Sequence, residues 1–248
     1  FMGLFGKKIT IFLFLAILAA ALTGCSSHTF VEGESLIVST KDLPGYAEQS
    51  NVVVVDTRTP EEYAAGHVAG AVNIPTADIV INVPVKNMLT SQKKIEKVMG
   101  SNGISNDTLV LAYDANKMGA SRLLWSLFMF GHQKVKVVDG GFDAIQTAGI
   151  QLSTDIEAPA EAVFTAKEPS ANWLATMDEV RAQAENPDPH TILLDVRSFE
   201  EYAEVGKVPT SLIIPYETNF FSDGTFKTTQ ITRINYLEEK IYPEDEII

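Results

Sequence analysis

Few side chains in this sequence could do chemistry, and their types limit what the protein can catalyse. The chain has one cysteine, Cys25, so neither an internal disulfide nor a zinc site with several thiolates is expected. The four histidines are scattered without the spacing of metal ligands, at His28, His67, His132 and His190. We therefore predict no metal site.

Two charged clusters stand out because each follows an apolar run and both have the same order. The first contains Asp56-Thr57-Arg58 and then Glu61-Glu62-Tyr63. The second contains Asp195-Val196-Arg197 and then Glu200-Glu201-Tyr202, and its aspartate lies 139 positions after Asp56. Matched order over this length predicts that a whole domain has been duplicated.

The apolar runs before these clusters predict strands, because a continuous run of four to six apolar residues is typical of a parallel sheet buried on both faces. Further strands are predicted at Leu109–Tyr113 and Val135–Val138, with a loop at 114–120 and a helix over 122–130 between them. Another helix is predicted to begin at Thr59-Pro60, with threonine as N-cap. The alternation of strands and helices predicts an α/β fold, with mostly parallel sheets flanked by helices.

The length of 248 residues suits two modest domains. We predict a first domain at 36–152 and a second at 173–248, where Thr176 is a plausible N-cap. The segment between them, 153–172, is rich in proline, alanine and acidic residues with little periodicity, and is predicted to be a linker.

The N-terminal residues resemble an export signal. Lys7 and Lys8 precede an apolar run over 9–22 that is short for a membrane span. The run ends in Leu-Thr-Gly-Cys, which resembles the lipobox of bacterial lipoproteins. We therefore predict a signal peptide at 1–24, lipidation of Cys25, a tether at 25–35 and anchoring in the bacterial cell envelope. The alternatives are an uncleaved anchor or an ordinary buried cysteine.

The charge balance limits the partners. The formal net charge is −13, and loss of residues 1–24 would remove two lysines and give −15. This charge excludes nucleic acid and anionic lipid as electrostatic partners. A small anionic substrate would need a locally positive pocket.

The two clusters and the segments around them resemble the signatures of rhodanese-like domains. The resemblance rests on Asp56-Thr57-Arg58, on residues 66–75 (GHVAGAVNIP) and on Val137-Val138-Asp139-Gly140-Gly141-Phe142. It covers about residues 36–150 fully and 173–248 in part. The chain is similar to a tandem thiosulfate or 3-mercaptopyruvate sulfurtransferase in lipoprotein form, truncated at the C-terminus.

The resemblance implies transfer of sulfane sulfur from a small anionic donor to a thiol or cyanide, through a cysteine persulfide and without a cofactor. The family's cysteine loop falls on residues 114–121, where Asp114 replaces the cysteine and Lys117 and Gly119 replace the glycine and arginine. A carboxylate cannot store sulfane sulfur. The first domain is therefore expected to be catalytically silent.

In the second domain the resemblance implies that the nucleophile lies past Ile248, near position 253 or 254 if the first domain's spacing is kept. Arg197 matches a position that binds the donor's anionic group, which suits a guanidinium at a strand end. The alternative is a structural ion pair with Asp195 or Glu201. The resemblance implies that the loop at 220–226 lies near the active-site mouth, and a solvated turn at Asp223-Gly224 is the alternative for those two residues.

Two other functions stay open. Both copies could lack the nucleophile and form an exported, non-catalytic binding or scaffold module. A remoter alternative is a phosphatase or arsenate reductase, because a related fold with one extra loop residue accommodates those larger groups.

Overall fold

The computed structural model describes residues 35–115 and 118–248. The signal peptide, the lipidation site at Cys25 and nearly all of the tether lie outside these residues, so they remain predictions. Within the described part of the chain, no helix combines the length and apolar character needed to cross a bilayer.

The first half is built on a five-stranded sheet in which every pairing is parallel. In sheet order the strands are β1 (Ile37–Val38), β8 (Val135–Val138), β7 (Leu109–Tyr113), β2 (Val52–Asp56) and β4 (Val72–Asn73). The longest pairing joins β2 to β7, from Val52 opposite Leu109 to Asp56 opposite Tyr113. The predicted parallel sheet is confirmed, as are the strands predicted at β2, β7 and β8.

Helices cover both faces of this sheet: α1 (Leu43–Ala47), α2 (Pro60–Ala65), α3 (Gln92–Ser101), α4 (Met118–Met129) and α5 (Gly141–Thr147). Successive residues of β2 point to opposite faces. Val54 therefore packs with Leu43 of α1 and Ile145 of α5, whereas Val55 belongs to the cluster that includes Ile95 of α3 and Leu123 of α4. The predicted α/β architecture is confirmed.

Helix α4 begins at Met118, four residues before its predicted start. Gly119 and Ala120 are therefore helical, and the prediction that they belong to the loop is wrong. The cause is local, because the Asp114 carboxylate accepts a hydrogen bond from the Ala120 backbone N–H at 3.0 Å. This bond satisfies a donor that the first helical turn leaves free. Lys117 lies outside the described residues.

The predicted start of α2 is confirmed. The Thr59 side chain accepts from the backbone N–H of Glu62, and the Glu62 carboxylate accepts from the N–H of Thr59. This reciprocal capping box, with Pro60 at the first helical position, stabilises the turn directly after the Asp56–Arg58 cluster.

The second half contains short parallel strand pairs. β10 (Thr191–Ile192) pairs with β13 (Glu246–Ile247), and β11 (Leu194–Asp195) pairs with β12 (Leu212–Ile213). Its helices are α6 (Met177–Glu185), α7 (Phe199–Val205) and α8 (Thr229–Glu238), and Thr176 caps α6 as predicted. In the apolar run before Asp195 only Leu193 is buried. The prediction that this run is covered on both faces is wrong for its other residues, because Ile192 and Leu194 are only half-buried.

Two antiparallel pairs complete the first half: β3 (His67–Val68) with β9 (Leu152–Ser153), and β5 (Val80–Ile81) with β6 (Met88–Leu89). From 154 to 170 the chain has no helix or strand. It nevertheless packs on the first half, because Phe164 and Ala166 are buried in the core cluster and the Lys167 N–H donates to the Phe130 carbonyl at 2.9 Å. The segment predicted as a linker is thus attached to the first core.

Local features of the first half recur in the second at a constant spacing of 137 residues. Ser91 caps α3 and Thr228 caps α8. Gly103 and Lys240 follow these helices with φ of 72° and 62°. Leu109, which pairs with Val52, and Glu246, which pairs with Thr191, are also 137 positions apart. The two halves therefore share their backbone course from the cap of this helix to the strand that follows it.

Candidate functional site at the carboxyl ends of the strands

Three acidic residues meet at one edge of the first sheet. Asp56 ends β2, Asp114 follows β7 and Asp139 follows β8. The segments after β7 and β8 are joined, because the Phe142 N–H donates to the Asp114 carbonyl at 2.8 Å. Ligands of open parallel sheets bind at the carboxyl ends of the strands, so this edge is the candidate site.

Arg58 is held by Asp56 in a buried ion pair. Its Nη2 lies 2.6 Å from Asp56 Oδ2, its Nε lies 3.0 Å from Oδ1, and Nη2 also donates to the Gly66 carbonyl at 2.7 Å. The guanidinium carbon is 3.5 Å from the centre of the Phe142 ring. Burial alone would lower the pKa of Arg58, but the hydrogen bonds and charge of Asp56 outweigh it and raise that pKa. The Arg58 side chain thus has a structural role in the first site, because its hydrogen bonds are made to Asp56 and Gly66.

Asp114 occupies the place where the resemblance puts a cysteine. It is buried, and its Oδ2 accepts the Ala120 N–H at the start of α4. The space around it is tight, since a Cβ on Gly119 would lie 2.7 Å from Thr57 Oγ1, 2.9 Å from Thr76 Oγ1 and 3.1 Å from Asp114 Oδ2. A carboxylate at a helix N-terminus is favoured by the helix dipole. Among the residues that the structure describes, the first site therefore holds a buried carboxylate and no thiol.

Arg197 repeats the geometry of Arg58 in a more open setting. Its Nε and Nη2 bind the two oxygens of Asp195, at 2.9 and 2.5 Å, and Nη2 donates to the Gly206 carbonyl at 2.8 Å. The Arg197 side chain is 36% exposed, compared with 6% for Arg58. The alternative of an ion pair with Asp195 is thus present in the structure. Binding of a substrate anion by the exposed part of Arg197 remains a prediction.

The ion pair between Asp195 and Arg197 predicts that the stability of the protein depends on pH. The side-chain hydrogen bond from Arg197 lowers the pKa of Asp195 below its ordinary value. The stabilisation is complete above the ordinary pKa of an aspartate and is lost as the pH falls through the lowered folded value. In a carboxyl NMR titration we expect Arg197→Ala to move the pKa of Asp195 back up. An unchanged Asp195 titration in that variant would show that the pair does not set this pKa.

One residue that the sequence analysis did not assign, Asp139, joins the two halves. Its Oδ1 accepts the Phe226 backbone N–H at 2.8 Å. The Phe226 side chain packs against the core cluster of the first half, and the Thr225 methyl lies 3.6 Å from where Gly140 would carry a Cβ. The available signal was an aspartate at a strand end beside two glycines, a position that faces the ligand edge of such sheets.

We name residues 216–226 the bridging loop. Its exposed turn is closed by Asp223 Oδ1, which accepts from the Thr225 N–H at 2.9 Å. At its start, the Tyr216 N–H donates to the Val196 carbonyl at 2.9 Å, beside Arg197. The solvated turn predicted at Asp223-Gly224 is therefore present at the tip, whereas the rest of the loop contacts both halves.

The parallel α/β arrangement of the first half agrees with the comparisons. A family model described as a rhodanese-like domain matches residues 39–148. Residues 39–148 are therefore a rhodanese-like domain, which confirms the resemblance stated for this part of the chain.

Related sequences extend beyond this domain. The chain is 28% identical to a "Putative thiosulfate sulfurtransferase" of Mycobacterium leprae over 213 residues, covering 79% of this chain and 75% of the relative. It is 26% identical to a protein with the same description from Saccharopolyspora erythraea over 232 residues, covering 87% and 81%. Both alignments are longer than the domain match and so include part of the second half.

Among solved structures, SseA of Escherichia coli, a 3-mercaptopyruvate sulfurtransferase, superposes with a TM-score of 0.77 at 22% identity, covering 86% of this chain and 87% of that one. An anaerobic ergothioneine biosynthesis enzyme of Chlorobium limicola gives 0.73 at 20% identity, covering 85% and 59%. At these identities the likeness shows the fold, and it extends over most of the chain.

Proposed function

We propose that this protein is a sulfurtransferase that moves sulfane sulfur from thiosulfate or 3-mercaptopyruvate to a thiol or cyanide, through a cysteine persulfide in its second half. The observation that carries the proposal is the repeated site geometry. Asp195 and Arg197 form the same two-point pair as Asp56 and Arg58, each at the end of a strand with a parallel partner. The relatives described as thiosulfate sulfurtransferases support this activity.

The proposal assigns different roles to the two halves. Residues 173–248 belong to a second rhodanese-like domain, and the first domain is catalytically silent because Asp114 takes the place of the nucleophile. The 137-residue recurrence of caps, positive φ and strand pairing supports the duplication. A second candidate function, a non-catalytic binding or scaffold module, is favoured only by the presence of Asp114 in the first half.

Strand register gives the expected position of the nucleophile. In the first half Asp56 lies opposite Tyr113, which directly precedes Asp114. Thr191 lies opposite Glu246, so continuation of this pairing puts position 250 opposite Asp195 and the counterpart of Asp114 at 251. This position is three residues before the value of 254 that the motif spacing gives. The difference arises in one segment of each half, which an antiparallel pairing closes. The segment from Phe220 to Phe226 is three residues shorter than the segment from Val80 to Leu89.

In the proposed reaction, the thiolate attacks the outer sulfur of thiosulfate. The new S–S bond forms as the old one breaks, and sulfite leaves with the electron pair. Cyanide or a thiolate then takes the outer sulfur of the persulfide and regenerates the enzyme thiolate. The N-terminus of the helix after the strand stabilises this anion, as the helix dipole favours negative charge there. The exposed part of Arg197 attracts the anionic donor.

The proposal is tested with the protein encoded by the complete reading frame. We expect thiocyanate from thiosulfate and cyanide, or pyruvate from mercaptopyruvate, and loss of at least about 1,000-fold in kcat when the thiol at or near position 251 is replaced by serine. Asp107→Ala is the control, because this carboxylate forms only an exposed pair with Lys134. No transfer from either donor, or full activity without the thiol, would contradict the proposal.

We also propose that Cys25 carries lipid and holds the protein at the exterior of a bacterial membrane. The support is the order of charge, apolar run and Leu-Thr-Gly-Cys in the sequence. Stable anchoring needs more than one acyl chain. Labelling of the wild-type protein but not of Cys25→Ser by a palmitate probe is expected, and equal labelling of the two would reject the site.

A further inference from the structure

The bridging loop connects the strand ends of the two halves through aromatic side chains. The Phe226 ring lies 4.7 Å from the Phe220 ring, centre to centre, and Phe220 lies 6.5 Å from the Tyr216 ring. The backbone N–H of Tyr216 donates a hydrogen bond to the carbonyl of Val196, the residue between Asp195 and Arg197. A continuous series of contacts therefore runs from the first half to the Arg197 cluster.

Asp139 fixes the end of this series in the first half. Its own backbone is held on both sides, because its N–H donates to the Val38 carbonyl at 2.8 Å and its carbonyl accepts from the Thr40 hydroxyl. Its carboxylate is thus presented from a rigid strand end. A hydrogen bond from a backbone N–H to a carboxylate is about twice as strong as one between neutral groups.

The geometry points to Asp139 as a positioning residue for the site of the second half, an inference that rests on the proposed function. The first domain, although catalytically silent, thus contributes to the site. Its Asp139 holds the bridging loop, and this loop borders the proposed active site beside Arg197. Asp139 touches neither Arg197 nor any reacting atom, so it acts through Phe226, Phe220 and Tyr216.

Loss of the bond should loosen the loop without changing the chemical step. Removal of a charge-assisted hydrogen bond raises the fraction of undocked loop by about 10- to 100-fold. Apparent affinity falls in proportion to the competent fraction. For Asp139→Ala we therefore expect faster hydrogen exchange of the Phe226 amide, by about 10-fold or more, and a KM for thiosulfate raised about threefold or more with kcat within about twofold.

Two variants make the test specific. Asp139→Asn keeps an acceptor oxygen at Oδ1 and is expected to restore most of the amide protection and the KM. Asp107→Ala, an exposed aspartate of the same half, is expected to leave both unchanged. A general loss of folding would instead raise exchange throughout the sheet, including β2 and β7, and would not be rescued selectively by asparagine.

The outcomes separate this inference from the proposed function. Unchanged Phe226 exchange in Asp139→Ala overturns the docking role, and faster exchange with an unchanged KM overturns the positioning role. If the complete protein transfers no sulfur from thiosulfate or mercaptopyruvate, the proposed function fails. In that case, selectively faster exchange of the Phe226 amide in Asp139→Ala still supports the docking of the bridging loop on the first half. Unchanged exchange of this amide rejects that docking.

Discussion

Replacement of Arg58 by alanine is expected to lower the free energy of unfolding by about 3–5 kcal/mol, because it leaves the fully buried Asp56 carboxylate without its charged partner. The Arg58 guanidinium also covers the Phe142 ring and satisfies the Gly66 carbonyl, so the variant loses packing together with charge. Urea unfolding of the wild-type and variant proteins at neutral pH measures this difference.

The second copy provides a matched control. Arg197 makes the same hydrogen bonds to Asp195 and Gly206, but more than a third of its side chain is exposed. When Arg197 is removed, water can therefore replace part of the hydrogen bonding to Asp195 and Gly206. Arg197→Ala should therefore cost much less stability than Arg58→Ala. Equal losses in the two variants would show that burial does not separate the two pairs, and that the structural assignment of Arg58 is incorrect.

The second large effect is expected at Gly141, where the segments after β7 and β8 touch. Its φ is 64°, and a Cβ there would lie 2.6 Å from the Asp114 carbonyl oxygen, a backbone atom that cannot rotate away. The cost combines the left-handed backbone of an L-residue, about 1–2 kcal/mol, with overpacking of about 1–3 kcal/mol. Gly141→Ala should thus destabilise the protein by about 2–5 kcal/mol.

Gly149→Ala separates the two contributions. Gly149 has a similar φ of 69°, but a Cβ there would meet nothing within 4 Å. It should lose only the backbone part, about 1–2 kcal/mol, in the same thermal or urea unfolding experiment. If the two alanine variants are equally stable, the close approach to Asp114 does not constrain this edge of the sheet.

Much of the first half was predictable from local patterns. The valines before Asp56 and the apolar run at Leu109–Tyr113 are strands because both faces of the sheet are covered. The start of α2 followed from Thr59 and Pro60. These features depend on residues near one another in sequence, where hydrophobic periodicity and capping chemistry act directly.

Other features were not predictable because they depend on individual hydrogen bonds that neither hydrophobic periodicity nor motif spacing specifies. The early start of α4 comes from a hydrogen bond between Asp114 and Ala120 that spacing alone does not reveal. The bond between Asp139 and Phe226 spans 87 positions, and no local pattern specifies it. The shorter segment at 220–226, compared with 80–89, was likewise not evident from the matched motifs, and it moves the position that we propose for the nucleophile.

The candidate site shows the same division. The paired aspartate and arginine at both strand ends were evident as a repeated motif, and the resemblance placed Asp114 at the position of the family's cysteine. The sequence could not separate an ion pair from an anion-binding role for Arg197, since the two differ only in how the guanidinium is exposed. In the structure Arg197 forms the ion pair with Asp195, and part of the Arg197 side chain is exposed to solvent.

The central claim is that sulfur is carried by the second half and not by the first. The most direct measurement is peptide mass spectrometry of the complete protein after treatment with thiosulfate in the absence of an acceptor. We expect one added sulfur atom on a peptide that follows Ile248 and none on peptides from residues 36–248, which contain no cysteine. Absence of added sulfur, or sulfur found only on Cys25, would contradict the account.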